Sequence, residues 1–124
     1  MRTQIGWPDS VCGAPGAARR TVLLTGASGV VGRALLRRLR DFDVVCLVHR
    51  SPVCEPDVTT VPGDIAEPMF GLARPAYVAL AATVDAVIHC AAVTNFNRAD
   101  GSLEATNIAG TEHVTAFAAA APAR

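Results

Sequence analysis

The chain has 124 residues, 51% of them apolar and 18% charged, which suits one domain with a buried core. Its net charge is +0, so neither nucleic acid nor an anionic membrane is predicted as a partner. Residues 1–20 lack the apolar segment of a signal peptide, and no apolar run approaches the roughly 20 residues that span a bilayer, so a cytoplasmic location is expected.

The first 20 residues differ in composition from those that follow. Residues 1–20 are rich in Gly, Pro and small side chains without periodicity, and we predict a disordered leader or a linker there. Thr21–Thr25 is a short apolar run typical of a buried strand. It leads directly into Gly26, Gly29 and Gly32, which are spaced G-x-x-G-x-x-G.

A strand, this glycine spacing and a following helix together suit the pyrophosphate of a dinucleotide. Gly26 permits a sharp turn, Gly29 removes a side chain where the backbone approaches the phosphates, and Gly32 lets the helix pack closely on the strand. The helix N-terminus adds unpaired N–H groups and a partial positive charge. The helix is predicted over residues 31–40. Its apolar stripe consists of Val31, Leu35, Leu36 and Leu39.

Further strands are predicted to alternate with helices. The strands are residues 44–48, 58–61 and 86–90, and the helices are residues 76–83 and 103–121. We therefore predict an α/β fold with a Rossmann-like doubly wound parallel sheet, incomplete at about four strands in the order 3-2-1-4. Residues 21–124 would be the N-terminal part of an NAD(P)-binding domain. The fourth strand would be an exposed edge through which the chain can self-associate.

The end of the second strand bears on the choice of cofactor. An Asp or Glu there would bind the ribose 2′-OH of NAD, whereas an Arg accommodates the 2′-phosphate of NADP. This chain has His49 and Arg50 at that place and no carboxylate before Glu55. Arg50, with Arg33 as a second cation, favours NADP while leaving NAD open, unless both arginines are only solvated surface charges. His49 is predicted to lie near the adenine.

Candidate site residues also follow the third and fourth strands. Asp64 can accept a hydrogen bond from the adenine amino group with Ile65 against the ring, although an ordinary turn aspartate is the alternative. Ala91 and Ala92 are small enough for the backbone to pass close to the cofactor. His89 is predicted to be a packed, hydrogen-bonded side chain and not an acid or base.

Asn107 and Gly110 stand inside the last predicted helix, where both residue types are unfavourable. Their proximity predicts close packing or a hydrogen-bonding role, unless the alanine-rich helix simply tolerates them.

The cysteines contain no C-x-x-C pair, so we predict reduced thiols and neither a disulfide nor a metal site. They are Cys12, Cys46, Cys54 and Cys90.

Together these residues resemble the extended short-chain dehydrogenase/reductase family. TGASGVVG (25–32) is similar to its T-G-x-x-G-x-x-G, and NIAGT (107–111) to its N-x-x-G-T. Three stretches resemble more narrowly the branch that reduces acyl thioesters, namely fatty acyl-CoA reductases of the male-sterility type and terminal reductase domains of carboxylic acid reductases and peptide synthetases. They are VPGDIAEPMFGL (61–72), VDAVIHCAAVTNFN (84–97) and LEATNIAGTEHV (103–114).

The resemblance covers about residues 21–121 and implies hydride transfer from NADPH to a thioester carbonyl, giving an aldehyde or alcohol, with a tyrosine as proton donor and a nearby lysine. It gives Asn107 a supporting role in positioning the catalytic groups. The implied cofactor-binding residues are Thr25, Gly26, Ser28, Gly29, Val30, Gly32, Arg50, Asp64, Ile65, Ala91 and Ala92.

The chain also departs from that branch. Strand two of the branch tends to end in Val-Arg, whereas here His49 stands between Val48 and Arg50. The Tyr-x-x-x-Lys of the family would lie beyond residue 124, lysine is absent, and Tyr77 precedes strand four and is predicted to pack on the sheet. We therefore expect the N-terminal part of a reductase, inactive alone, which would meet an acyl thioester only with the rest of the domain supplied. A sugar-nucleotide epimerase or dehydratase fragment, a non-catalytic NADP-binding regulatory module and a non-functional remnant are the alternatives.

Overall fold

The computed structural model describes residues 19–92 and 100–121, in which four strands form one parallel sheet. The order is β3-β2-β1-β4, so β1 is central and the direction of strand addition reverses between β1 and β4. This confirms the predicted fold class and strand order, while residues 1–18 of the predicted leader lie outside the described residues. The strands are β1 (Thr21–Thr25), β2 (Asp43–Val48), β3 (Val58–Pro62) and β4 (Ala86–His89).

Helices cover both faces of the sheet. They are α1 (Val30–Leu36), α2 (Arg74–Thr83), α3 (Ser102–Glu104) and α4 (Gly110–Ala120), with a 3-10 turn at Pro68–Gly71 and a π-helical turn at Ala105–Ala109. The last helix is predicted as one continuous segment, and helical backbone does run from Ser102 to Ala120. The π-helical turn Ala105–Ala109 lies within it, around Asn107 and directly before Gly110, both of which are poor α-helix formers.

The first helix is also shorter than predicted, since it ends at Leu36 instead of residue 40. Leu39 and Phe42 follow in turns and are still buried, at 1% and 3% exposure. Val31 does not belong to the buried stripe, because it stands in the first turn of α1 beside the glycine turn and is 62% exposed.

The core has two layers because β1 alternates its side chains between the faces of the sheet. Val22 and Leu24 pack with residues of and after α1, whereas Leu23 packs with the residues under α2 and α4. In the second layer Phe70, Tyr77 and Phe117 form an aromatic cluster with ring centroids 5.2–5.8 Å apart. Tyr77 therefore packs as predicted.

Strand β4 lies at one end of the sheet and pairs with β1. All four of its residues are only half-buried, unlike the residues of β1, which are nearly all buried. This is the exposed edge that the strand order predicts. Among residues 19–92 and 100–121, none of the helices combines the length and the apolar character that a membrane span requires.

Candidate functional site

The carboxyl ends of all four strands open into one cavity of about 270 Å³. Parallel strands bring these ends to the same edge of the sheet, and the cavity lies where the strand order reverses, the usual binding place in open α/β sheets. The lining includes Thr25, Gly26, Ala27, Ser28, Gly29, Leu47, Val48, His49, Arg50, Ser51, Val53, Gly63, Asp64, Ile65, Cys90, Ala91, Ala92 and Thr106.

The glycine turn connects the end of β1 to the start of α1. Gly26 has φ +76, and a Cβ there would lie 2.5 Å from the Ala91 nitrogen, so the turn runs against the chain that leaves β4. A Cβ on Gly32 would lie 2.0 Å from the Gly26 carbonyl oxygen, so α1 is packed directly on the turn. A Cβ on Gly29 would meet only that same oxygen, at 3.4 Å, so the space in front of Gly29 is open.

The start of α1 carries no competing anion. Gly29 is its N-cap residue, no side chain caps the helix, and the first turn contains no acidic residue. The glycine turn itself is closed by a hydrogen bond from the Gly29 N–H to the Gly26 carbonyl oxygen at 3.0 Å. The cavity therefore meets a side-chain-free backbone whose first-turn N–H groups lack a side-chain acceptor.

The ends of β2 and β3 form the polar side of the cavity. The Asp64 carboxylate accepts a hydrogen bond from the Ala66 N–H at 2.9 Å, and its other oxygen lies 3.4 Å from His49 Nε2. Asp64 therefore has the turn role given as the alternative, and also faces the cavity beside His49. Its own N–H donates to the Phe70 carbonyl oxygen at 3.0 Å. Phe70 has φ 58 but is 1% exposed, so burial of its ring holds this strained turn in place.

Ile65 forms the floor next to Asp64 and is 7% exposed. A Cβ on Gly110 would lie 2.8 Å from Ile65 Cδ1, so α4 approaches closely only because residue 110 is glycine. His113 Nδ1 lies 2.6 Å from the Ile65 carbonyl oxygen and joins the same helix to this segment. The close packing predicted for Gly110 is therefore confirmed.

Thr25 and His89 join the ends of the neighbouring strands β1 and β4. Thr25 Oγ1 accepts hydrogen bonds from the N–H groups of Cys90 at 3.1 Å and Ala91 at 3.2 Å, and lies 2.6 Å from His89 Nδ1. The Thr25 hydroxyl is thus engaged within the protein. Burial lowers the pKa of His89 from its usual 6.5, which favours the neutral imidazole, in agreement with the predicted packed histidine.

Asn107 lies in the π-helical turn, next to Thr106, which lines the cavity. The Thr111 hydroxyl donates to the Asn107 carbonyl oxygen at 2.8 Å. A hydroxyl bonded to the carbonyl four residues earlier bends a helix, which agrees with the irregular turn here. The turn brings Asn107 to the β4 end of the site.

Of the predicted cofactor-binding residues, nine line the cavity: Thr25, Gly26, Ser28, Gly29, Arg50, Asp64, Ile65, Ala91 and Ala92. Val30, Gly32 and Arg33 do not, since Gly32 lies under the turn and the side chains of the other two are exposed. The lining residues that sequence reasoning missed are Ala27, Leu47, Val48, Ser51, Val53, Gly63, Cys90 and Thr106. Gly63 could have been found from its position directly before Asp64, and the structure shows why glycine is needed there, because a Cβ would lie 2.7 Å from Leu47 Cδ1. Val53 stands in a loop without a periodic pattern that could have indicated it.

The thiols and acids make no metal centre in the part of the chain that is described. Cys46, Cys54 and Cys90 are free, and no group of three or more His, Cys, Asp or Glu there is placed to hold an ion. Burial raises the pKa of Cys46 to about 11, which keeps that thiol protonated. Cys12 lies outside the described residues.

The sequence model of the male sterility protein family, a family of NAD-binding domains, matches residues 49–124. The chain belongs to this family. The match begins directly after β2, so it includes the lining residues that follow β2, β3 and β4. The glycine turn precedes it.

Segments similar to this chain occur within very long synthetases. The hybrid PKS-NRPS synthetase pvhA of Talaromyces variabilis is 41% identical over 88 residues, which cover 66% of this chain and 2% of that protein. The terminal R domain of the myxalamid PKS-NRPS pathway is 32% identical with a TM-score of 0.72, covering 83% of this chain and 32% of that one. The reductase (R) domain of a non-ribosomal peptide synthetase from Mycobacterium tuberculosis is 34% identical with a TM-score of 0.61, covering 80% and 30%.

A short-chain dehydrogenase/reductase superfamily protein from Agrobacterium tumefaciens, solved with bound NAD, is 27% identical with a TM-score of 0.65, covering 85% of this chain and 30% of that one. The chain thus spans about a third of the length of these solved proteins. The resemblance to the terminal reductase domains of peptide synthetases is confirmed, and the family to which the chain belongs is one of NAD-binding domains.

Proposed function

We propose that this chain binds NADPH and forms the cofactor-binding part of a reductase that acts on acyl thioesters. The observation that carries the proposal is the glycine turn, which presents backbone without side chains at the reversal point of the sheet. Gly29 is the position where a pyrophosphate can approach, because the space in front of it is open, whereas Gly26 and Gly32 are filled by neighbouring backbone. When bound, NADPH supplies the hydride.

The cavity lining gives the dinucleotide a direction. On the β2 and β3 side stand His49, Arg50 and Asp64, which are polar groups suited to the adenosine half. On the β4 side Ala91 and Ala92 leave room for the nicotinamide half, beside the turn that carries Asn107. We assign Asn107 a supporting role there.

Arg50 supports NADPH over NADH. It lines the cavity after β2, carries a permanent charge and can form paired hydrogen bonds to a 2′-phosphate. The Asp64 carboxylate on the same side of the cavity contacts His49, with Oδ2 3.4 Å from His49 Nε2. Arg33 lies off the cavity lining, so we retain Arg50 as the single cation for the 2′-phosphate.

A fluorescence titration of the purified chain with NADPH and with NADH tests the proposal. Arg50→Ala should weaken NADPH binding by about tenfold or more, for one charge-assisted contact of about 1.5–3 kcal/mol, and leave NADH binding unchanged. Arg38→Ala is the matched control, because Arg38 is an exposed arginine away from the cavity, and it should change neither affinity. Equal losses for both cofactors would remove Arg50 from the 2′-phosphate site, and no binding of either cofactor to the unaltered chain would refute the proposed function.

We further propose that residues 21–124 are the N-terminal part of an NAD(P)-binding domain and that this chain alone does not reduce a thioester. The chain has no lysine, and the one tyrosine, Tyr77, packs in the aromatic cluster. A regulatory module that binds NADPH without chemistry, or a fragment of a sugar-nucleotide epimerase or dehydratase, would share the glycine turn. Reading the downstream coding sequence distinguishes them. A Tyr-x-x-x-Lys there is expected of a reductase or an epimerase and not of a regulatory module, and the subdomain that follows it, for an acyl carrier or for a nucleotide sugar, separates the two enzymes.

A further inference from the structure

The hydroxyl of Thr25 has three hydrogen-bonding neighbours in the part of the chain that the structure describes. Thr25 is 1% exposed, and its hydroxyl oxygen accepts the Ala91 N–H at 3.2 Å and the Cys90 N–H at 3.1 Å, the latter shared with the Thr25 carbonyl oxygen at 3.1 Å. A hydroxyl has two lone pairs and one hydrogen, so both lone pairs are occupied. Its hydrogen must therefore point to the remaining neighbour, which is His89 Nδ1 at 2.6 Å.

This assignment determines the tautomer of His89. Since Nδ1 accepts the Thr25 hydrogen, the proton of the neutral imidazole is on Nε2. Nε2 lies 3.4 Å from Thr111 Oγ1, and the Thr111 hydroxyl in turn donates to the Asn107 carbonyl oxygen at 2.8 Å. Every donor in this series faces an acceptor. The opposite tautomer would place two hydrogens between His89 and Thr25.

We propose that His89, as the Nε2–H tautomer, is a positioning residue that holds the π-helical turn Ala105–Ala109, and Asn107 within it, in register with the glycine turn. Thr25 immediately precedes that glycine turn, and Thr111 fixes the carbonyl in the middle of the π-helical turn. The imidazole is the rigid connection between them. The positioning itself is argued from the contacts, and only its purpose, to place Asn107 for a bound cofactor, rests on the proposed function.

The two ring nitrogens of His89 serve hydroxyl groups of different burial. Loss of the imidazole acceptor leaves the buried Thr25 hydrogen without a partner, and an unsatisfied buried donor is costly. Loss of the Nε2 donor instead frees Thr111, which is exposed and can rotate. Loss of the Nδ1 contact should therefore lower the stability of the chain, whereas loss of the Nε2 contact should change the geometry of the helix.

The tautomer is tested by NMR on the cofactor-free chain labelled with ¹⁵N-histidine. Two-bond ¹H–¹⁵N spectra distinguish the two neutral tautomers from imidazolium, and His49→Gln and His113→Gln assign the other signals. We expect His89 to show the Nε2–H pattern near neutral pH. An Nδ1–H or imidazolium pattern would overturn the proposal.

Register is tested with Thr111→Val, Thr111→Ser and His89→Asn. Thr111→Val removes the hydroxyl at an exposed position that should not unfold the chain, and it should shift the amide signals of Asn107 and adjacent residues. Thr111→Ser keeps the hydroxyl and should restore them. His89→Asn keeps an acceptor near the Nδ1 position but does not reach Thr111, so it should reproduce the Thr111→Val shifts.

Unchanged Asn107 signals in Thr111→Val, or equal shifts in the Val and Ser variants, would overturn the positioning role. Both readouts use the chain without cofactor. A failure of NADPH to bind would therefore count against the proposed function and not against this inference.

Discussion

Alanine substitution at two glycines of the same turn should have opposite consequences. Gly32→Ala places a Cβ 2.0 Å from the Gly26 carbonyl oxygen, and the atom it meets is backbone at a buried turn. Gly29→Ala places a Cβ 3.4 Å from the same oxygen, an ordinary contact, at a residue with extended φ −79 and ψ 175. The chemical change is identical, and only the surroundings differ.

The magnitude follows from two competing terms. Alanine is favoured over glycine inside a helix by about 1 kcal/mol, which on its own would stabilise Gly32→Ala. Against this, Cβ and the Gly26 oxygen must separate by more than 1 Å, judged from the 3.4 Å contact at Gly29, and overpacking of this kind typically costs about 1–3 kcal/mol and sometimes more. Because the atom that this Cβ meets is backbone, the cost should lie at the upper end of that range, so we expect a net loss of about 2 kcal/mol, or on the order of 10 °C in Tm for a domain of this size.

Thermal unfolding followed by circular dichroism, with NADPH titration of each folded variant, is the assay. Gly29→Ala should unfold within about 3 °C of the unaltered chain, since it meets no overlap. It should nevertheless weaken NADPH binding by about tenfold or more, as expected for loss of one phosphate contact. A Gly32→Ala variant as stable as the unaltered chain would refute the packing argument, and a Gly29→Ala variant with full affinity would refute the assignment of the pyrophosphate to that opening.

Three other perturbations test separate parts of the fold. Iodoacetamide should modify exposed Cys54 in the folded chain and Cys46 only after unfolding, as read by peptide mass mapping, and equal labelling would contradict the buried thiol. Because burial lowers the pKa of His89, the stability contributed by its neutral imidazole is full above about pH 6.5 and is lost as the pH falls. Urea midpoints should therefore drop more between about pH 6.5 and pH 5.5 in the unaltered chain than in His89→Gln. Equal drops in the two proteins would exclude His89 as the cause. Gly110→Ala should lower Tm less than Gly32→Ala, because its Cβ meets the movable end of Ile65 at 2.8 Å, and a larger loss would contradict this account.

The sheet was predictable because its signals are local. β1, β2 and β4 are short apolar runs, and β3 is a β-branched run that ends at Pro62 before Gly63. The alternation of strands with helices indicates a parallel arrangement. The end of α1 was not predictable, because Leu39 and Phe42 continue the apolar pattern beyond Leu36 and are buried although they lie outside the helix. A buried residue in a turn and one in a helix leave the same mark in a sequence.

The site was predictable where a residue type has a single purpose. Gly26, with φ +76, and Gly32, in contact with backbone, are required by geometry, and the glycine spacing indicates both. The part played by Thr25 was not predictable, since its bonds reach 64–66 residues along the chain to the end of β4. Arg33 shows the same limit, because its place next to Gly32 does not reveal which side of α1 it occupies.

The half-buried edge at β4 has a consequence for how the sheet can be extended. A strand added along β4 would meet its outer amides and carbonyls, on the side away from the β2 and β3 ends where Arg50 and Asp64 lie. A strand paired there would contact β4 and leave the polar ends of β2 and β3 at the cavity unchanged.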